Sequence, residues 1–220
     1  MSPAGQPVAW RYDPAALESI DLPGDLFDEQ LVAAVQKAAL AGRQRSNLVG
    51  YTWTPSPWTR ARVTAIRRSG ESASKQHYVG FLKERYAYSI ERVNELYALE
   101  STSFTDLLTD RFLNLDETRA TVAADDRDFL LELAGRVAES VALALQTAHP
   151  GALLFTEPLD SPDIAAAMAP HADVLVSRQP LPTAPAQVLL GAPPAALPMN
   201  VVGLAGAIEP LARLLPTPPK

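Results

Sequence analysis

Apolar positions recur with helical spacing from Glu29 to Ala41, where Leu31, Val32, Val35, Ala38 and Ala39 follow an N-cap at Asp28 and Gly42 ends the run. Leu48 to Trp53 is rich in β-branched and aromatic residues and enters a Pro-x-Pro loop, which predicts a strand. Ser74 is placed to cap a helix reaching Tyr86, with Tyr78, Phe81, Leu82 and Arg85 on one face. A shorter helix follows from Ser89 to Leu99, carrying Ile90, Val93, Asn94 and Tyr97, and a single turn is expected near Phe104 to Leu108. Ala124 to His149 predicts the longest helix. Phe129, Leu130, Leu133, Val137, Val141 and Leu145 form its apolar stripe, and Asp125, Asp126 and Asp128 are expected near its positive end.

Beyond Pro150-Gly151 the pattern shortens. Strands are predicted at Ala152 to Thr156, Asp173 to Ser177 and Gln187 to Gly191, with a helix from Ser161 to Met168 opened by Pro162. Before the first long helix, Pro7 to Arg11 reads as a short strand and Asp13-Pro14 as the start of a loop running through Pro23-Gly24. A last helix is expected from Leu204 to Leu215. The near-continuous apolar runs Val174-Leu-Val176 and Val188-Leu-Leu190, separated from other strands by helices, predict an α/β fold: a parallel sheet with outer helices. No strand is followed by a glycine-rich phosphate loop, which argues against a doubly wound nucleotide fold.

Composition then removes classes of function. The chain has 220 residues, 47% of them hydrophobic, enough for one domain, expected to span 1–215 before a Pro-rich tail at 216–220. A net charge of -6 leaves no electrostatic footprint for nucleic acid, and the arginines between Arg60 and Arg68 read as an exposed charged segment. No apolar run spans a membrane and no signal peptide opens the chain, so a cytoplasmic location is expected. With no cysteine, and with His77, His149 and His171 widely spaced, neither a metal site nor a cofactor is expected.

Several stretches together carry a family resemblance: Phe27-Asp28-Glu29 opening a helix, Leu48-Val-Gly-Tyr-Thr-Trp53 as a strand, Phe81-Leu-Lys-Glu-Arg-Tyr86 followed by Ile90-Glu-Arg-Val-Asn94, then Leu153-Leu-Phe155 and Asp173-Val-Leu-Val176. In this order, over about residues 27–191, the chain resembles the (β/α)8-barrel glycoside hydrolases related to agarases and β-galactosidases. The resemblance implies an incomplete, or truncated, TIM-like barrel, because a full one takes about 250 residues and eight strands. An arc of that kind exposes strand edges, so a homo-oligomer is expected.

The resemblance also implies an oligosaccharide ligand at the C-terminal strand ends and two carboxyl groups across the scissile bond. One acid, Glu157, follows the Leu153 strand, with Asp160 beyond it, whereas the family's other carboxylate positions fall on Thr54-Pro55 and Gly191-Ala192-Pro193. The expectation is therefore a catalytically degenerate protein that binds carbohydrate or acts as an assembly partner. Alternatives are a working glycosidase pairing Glu157 with Asp160 or Asp13, and a half-barrel with a purely structural role. Trp53 and Trp58 offer flat rings for pyranose stacking. Thr54, Arg178 and Gln179 complete the expected sugar contacts, and Tyr51 is assigned to the core.

Overall fold

The computed structural model describes residues 14–54, 58–177 and 187–189. Its strands are β1 (Leu17–Asp21), β2 (Gly50–Thr54), β3 (Leu153–Leu154), β4 (Leu175–Ser177) and β5 (Gln187–Leu189). Its helices are α1 (Glu29–Gly42), α2 (Arg60–Arg68), α3 (Ala73–Arg85), α4 (Ile90–Tyr97), α5 (Asp106–Thr109), α6 (Ala120–Ala148) and α7 (Pro162–Met168). The strands expected at Pro7 to Arg11, the helix at Leu204 to Leu215 and the tail lie outside the described residues.

Every strand pairing is parallel. β1, β2 and β3 lie side by side in chain order, β4 pairs with β5, and the bridges Phe155–Val174 and Leu159–Ser177 join the two groups. Parallel strands in sequential order, with helical crossovers on one side, are the arrangement from which a (β/α) barrel is built. The parallel sheet with outer helices expected from the apolar runs is therefore present.

The core lies between sheet and helices. Ile20, Tyr51, Trp53, Leu154 and Leu175 meet Leu31, Val35 and Ala38 of α1, Leu133, Val137, Val141 and Leu145 of α6, and Ile164 and Met168 of α7. Each buried Leu, Ile, Val or Met side chain among them contributes about 1.5–3 kcal/mol when taken from water. Close approach imposes glycine at Gly42, where a Cβ would collide with the Tyr51 hydroxyl. At Gly50 a Cβ would sit 2.7 Å from the Phe155 ring, so Phe155 fills the space that glycine leaves.

Four local expectations are corrected. β1 occupies a stretch read as loop, because Leu17 and Ile20 do not alternate with the period of a half-buried strand. The segment from Arg60 is a helix capped by Thr59, whose hydroxyl accepts from Arg62 N–H, rather than an exposed charged stretch. α3 is capped by Ser72, whereas Ser74 is buried and held by the Asp25 carboxylate through its hydroxyl at 2.5 Å and its N–H at 3.0 Å. Those bonds, with one from Phe27 N–H, outweigh the effect of burial and lower the Asp25 pKa. Asp28 holds the N-cap position of α1 without a side-chain cap bond.

The fourth correction concerns α6. It begins at Ala120, so Asp125 and Asp126 fall in its second turn, beyond the helix end that was to hold them. Both are 1% exposed and are paired with side chains from beyond α6 instead. Asp126 pairs with the buried Arg67 and, at 3.0 Å, with Arg60 of α2. Asp125 pairs with Arg85 of α3 at 2.5 Å and accepts hydrogen bonds from Tyr86 at 2.6 Å and Tyr97 of α4 at 2.7 Å. Burial pushes the Asp126 carboxyl above its ordinary range while Arg67 and Arg60 pull it back. Nearby, buried Lys75 donates to the carbonyls of Arg67, Ser69 and Asp110, tying the ends of α2 and α5 to α3.

Removing one member of a buried ion pair strands the other charge. Arg67→Met is expected to cost about 3–5 kcal/mol in urea unfolding. Breaking the half-exposed Arg68–Glu117 pair should cost no more than about 1 kcal/mol.

At the opposite end of α6 the Tyr51 hydroxyl lies 2.6 Å from His149 Nδ1. Burial, with the nearby Arg43 charge, lowers the His149 pKa. As pH falls through about 6.5 the unfolded chain takes up this proton first, so folding stability is lost in that direction. The drop in urea midpoint between pH 7.5 and pH 5.5 is expected to shrink in His149→Gln.

Candidate functional site

Strand register decides which side chains share a surface. Leu17, Ser19 and Asp21 of β1 pair with Gly50, Thr52 and Thr54 of β2, and Gly50 pairs with Leu153 of β3. Side chains alternate across a strand. Because Ile20, Tyr51, Trp53 and Leu154 belong to the helix-side core, the intervening residues occupy the other face. That second face carries Leu17, Gly50 and Leu153 in one row, then Ser19, Thr52 and Phe155. At the C-terminal rim come Asp21 of β1 and Glu157, two residues beyond Phe155.

The chemistry thus rises along the strands from apolar to polar. Leu153 and Phe155 are buried, as is Val174, which bridges to Phe155. Level with Phe155, Thr52 is 8% exposed, and among the described residues its hydroxyl has no hydrogen-bond partner. Glu157 is 4% exposed, whereas Asp21 is exposed and forms no ion pair with a described residue. Strand ends of a parallel sheet are where such folds collect ligand-handling groups, since loops there leave side chains accessible from one direction.

The residues singled out from sequence scatter between the two faces. Glu157 lies at the rim. Asp160 is exposed, three residues on, and Ser161 caps α7 by accepting from Ile164 N–H at 3.4 Å. Thr54 closes β2 at the rim. Trp53 is fully buried on the helix side, edge-to-face with Trp58 at 6.1 Å between ring centroids, so both rings fill the core. Among the described residues neither indole N–H has an acceptor. Tyr51 is a core residue with its hydroxyl on His149. Asp13, Arg178 and Gln179 lie outside the described residues.

Asp21 escaped the sequence reading because β1 itself did. The available signal was a strand-length interval, Leu17 to Leu22, bounded by Pro14 and Pro23, and it supplies the residue that emerges past the first described strand. A separate groove of about 330 Å³ lies between α3 and α6, lined by Gln76, His77, Gly80, Phe81 and Glu132. It belongs to the helix layer, away from the strand ends. Among the described residues no group of three or more acidic or histidine side chains is arranged to hold a metal ion, and no helix is long and apolar enough to cross a membrane.

An unpaired buried hydroxyl destabilises the protein unless something bonds to it. Thr52→Val keeps the side-chain shape and removes the unmet group, so the apo protein is expected to gain up to about 1 kcal/mol in chemical unfolding.

No protein-family model and no curated protein matches the chain. Solved structures do. An agarase, AgWH50C, superposes with a TM-score of 0.60 at 17% identity, over 73% of this chain and 28% of that one. An exo-β-agarase gives 0.57 at 18% identity, over 70% and 23%, and PfGH50B gives 0.58 at 14%, over 72% and 28%. The chain therefore spans between a fifth and a third of the length of those proteins. What it shares with them is a fold, the parallel strands and outer helices described above.

Proposed function

We propose that the chain is a glycoside hydrolase-like protein that takes an oligosaccharide at the C-terminal rim of its sheet, with Glu157 at the centre of the site. The observation that carries this reading is a mostly buried carboxylate, Glu157, three residues beyond β3 on the C-terminal side of a parallel sheet, in a fold similar to that of agarases. A carboxylate in such a position accepts hydrogen bonds from sugar hydroxyls, and the polar Ser19 and Thr52 share the face of the sheet away from the helices. The arc of strands belongs, on this reading, to a (β/α) barrel within one domain over residues 1–215, completed by further strands or by a second copy of the chain. Neither the metal-ion nor the cofactor chemistry of other barrels enters the proposal.

Titration calorimetry with agarose-derived oligosaccharides tests it. Wild-type protein is expected to bind, and Glu157→Gln, which keeps the shape and loses the charge, to bind at least about tenfold more weakly, equivalent to about 1.4 kcal/mol. Equal affinity in the two proteins would remove Glu157 from the site. Truncating Trp53 or Trp58 is no test of sugar stacking, because deleting a buried indole costs about 3–5 kcal/mol of folding stability by itself.

A further inference from the structure

Glycine inside a helix weakens it, and only proline is a poorer helix former. Among the described residues, the other glycines of helices and strands have a steric reason. Gly42 and Gly50 make room for aromatic rings, and a Cβ on Gly135 of α6 would sit 3.2 Å from the Ala167 carbonyl oxygen. Gly80, in the middle of α3, has no such reason: its backbone is not left-handed, and a Cβ there would meet nothing within 4 Å. The open space over Gly80 is the groove between α3 and α6, so the effect of this glycine is to keep that groove open.

We propose that the groove is a binding site for a small alkylammonium ion, separate from the rim of the sheet and independent of the oligosaccharide reading. Its volume, about 330 Å³, falls at the lower end of small-ligand sites. From Gln76 to Glu84 it runs about 12 Å along α3. Gly80 leaves its floor flat, and Phe81 beside it gives an apolar wall suited to methylene groups. Two carboxylates offer themselves to an ammonium group. Glu84 of α3 is exposed and forms no ion pair with a described residue. Glu132 of α6 accepts from Arg136 Nε at 3.0 Å through Oε1, and its Oε2 accepts from no described residue.

His77 adds an acceptor between them. Its ring is stacked on Phe27, with 3.7 Å between centroids, which fixes the plane of the imidazole. Burial, with the Arg136 charge, holds the His77 pKa below its ordinary value against the opposing pull of Glu132 and Asp25. At neutral pH the ring is therefore uncharged, and one of its nitrogens accepts a hydrogen bond from an ammonium N–H. Two carboxylates against one guanidinium, on a chain of net charge -6, favour a cation over an anion. The surroundings favour a small molecule over a protein, because a protein partner packs on apolar anchors. The large exposed apolar side chains, Val32, Leu40, Tyr88, Leu113 and Leu143, all lie outside the lining of the groove.

Titration calorimetry of the full chain with putrescine at low ionic strength tests the proposal. Wild-type protein is expected to bind with a Kd of about 1 mM or tighter. Gly80→Leu fills the groove without changing any charge, and should weaken binding at least about tenfold while the thermal midpoint stays at or above that of wild type. Gly80→Ala is the milder variant, expected to raise the midpoint and to weaken binding by a smaller factor. Glu84→Gln should weaken binding at least about threefold. Glu100→Gln makes the same charge change at an exposed position outside the groove and should leave affinity as it is. Absence of binding by the wild-type protein would overturn the proposal. So would undiminished binding in folded Gly80→Leu or Gly80→Ala, or equal losses in Glu84→Gln and Glu100→Gln, since these mark diffuse attraction to an acidic surface. A lysine-bearing peptide that binds about tenfold more tightly than putrescine, or an agarose-derived oligosaccharide that displaces it, would overturn the choice of ligand.

Discussion

The in-register parallel pairing of β1, β2 and β3 is the constraint on which the rest of the molecule depends. With a side-chain period of two, a slip of one residue would exchange the faces of a strand entirely. It would turn Tyr51 and Trp53 away from the helices and drive Gly50 and Thr52 into them. Two tight fits oppose such a slip. The Tyr51 hydroxyl occupies the space that only a glycine at position 42 allows, and the Phe155 ring occupies the space above Gly50. Core packing thereby sets the strand faces: once Ile20, Tyr51 and Leu154 face the helices, Ser19, Asp21 and Thr52 must face the other way.

The long connection between β2 and β3 poses a different problem. It carries four helices before α6 returns the chain to the sheet, and these helices cover one another more than they cover strands. Buried charge joins them. Asp125 and Asp126 on adjacent positions of α6 reach α2 and α3 through Arg67 and Arg85, and Tyr97 brings in α4. A carboxylate so enclosed is strongly unfavourable until paired, so this arrangement rewards one relative placement of the helices and penalises others. The same pairing takes up much of the arginine-rich segment. Its one fully buried guanidinium is committed to Asp126, and Arg60 and Arg68 are paired with Asp126 and Glu117.

Much of the architecture was legible along the chain. The stripes Leu31–Val35–Ala38 and Leu133–Val137–Val141 lie where helical periodicity placed them, and the apolar run at Val174 to Val176 forms part of the parallel sheet. Helix starts were less legible. Ser72 and Ser74 are chemically equivalent as caps, and only the position of Asp25, distant along the chain, separates the capping serine from the buried one. β1 was hidden for a related reason: a five-residue strand with two apolar positions is too short for alternation to distinguish it from a turn-rich loop.

For the site, the sequence by itself determined the chemical inventory: no thiols, scattered histidines, a carboxylate after the Leu153 strand, and aromatic residues flanking the Pro-x-Pro loop. Those conclusions require only residue identity and local order. The tertiary structure decided which of these groups share a surface. It sent Trp53 and Trp58 into the core, though local sequence had made them equally suited to stacking on a ligand. It also brought Asp21, at the end of β1, and Glu157, beyond β3, to the C-terminal side of one sheet although they are distant in the chain. Composition and periodicity act over a few residues, whereas the facing of a strand end is set by hydrogen-bonded register and by the volumes packed behind it.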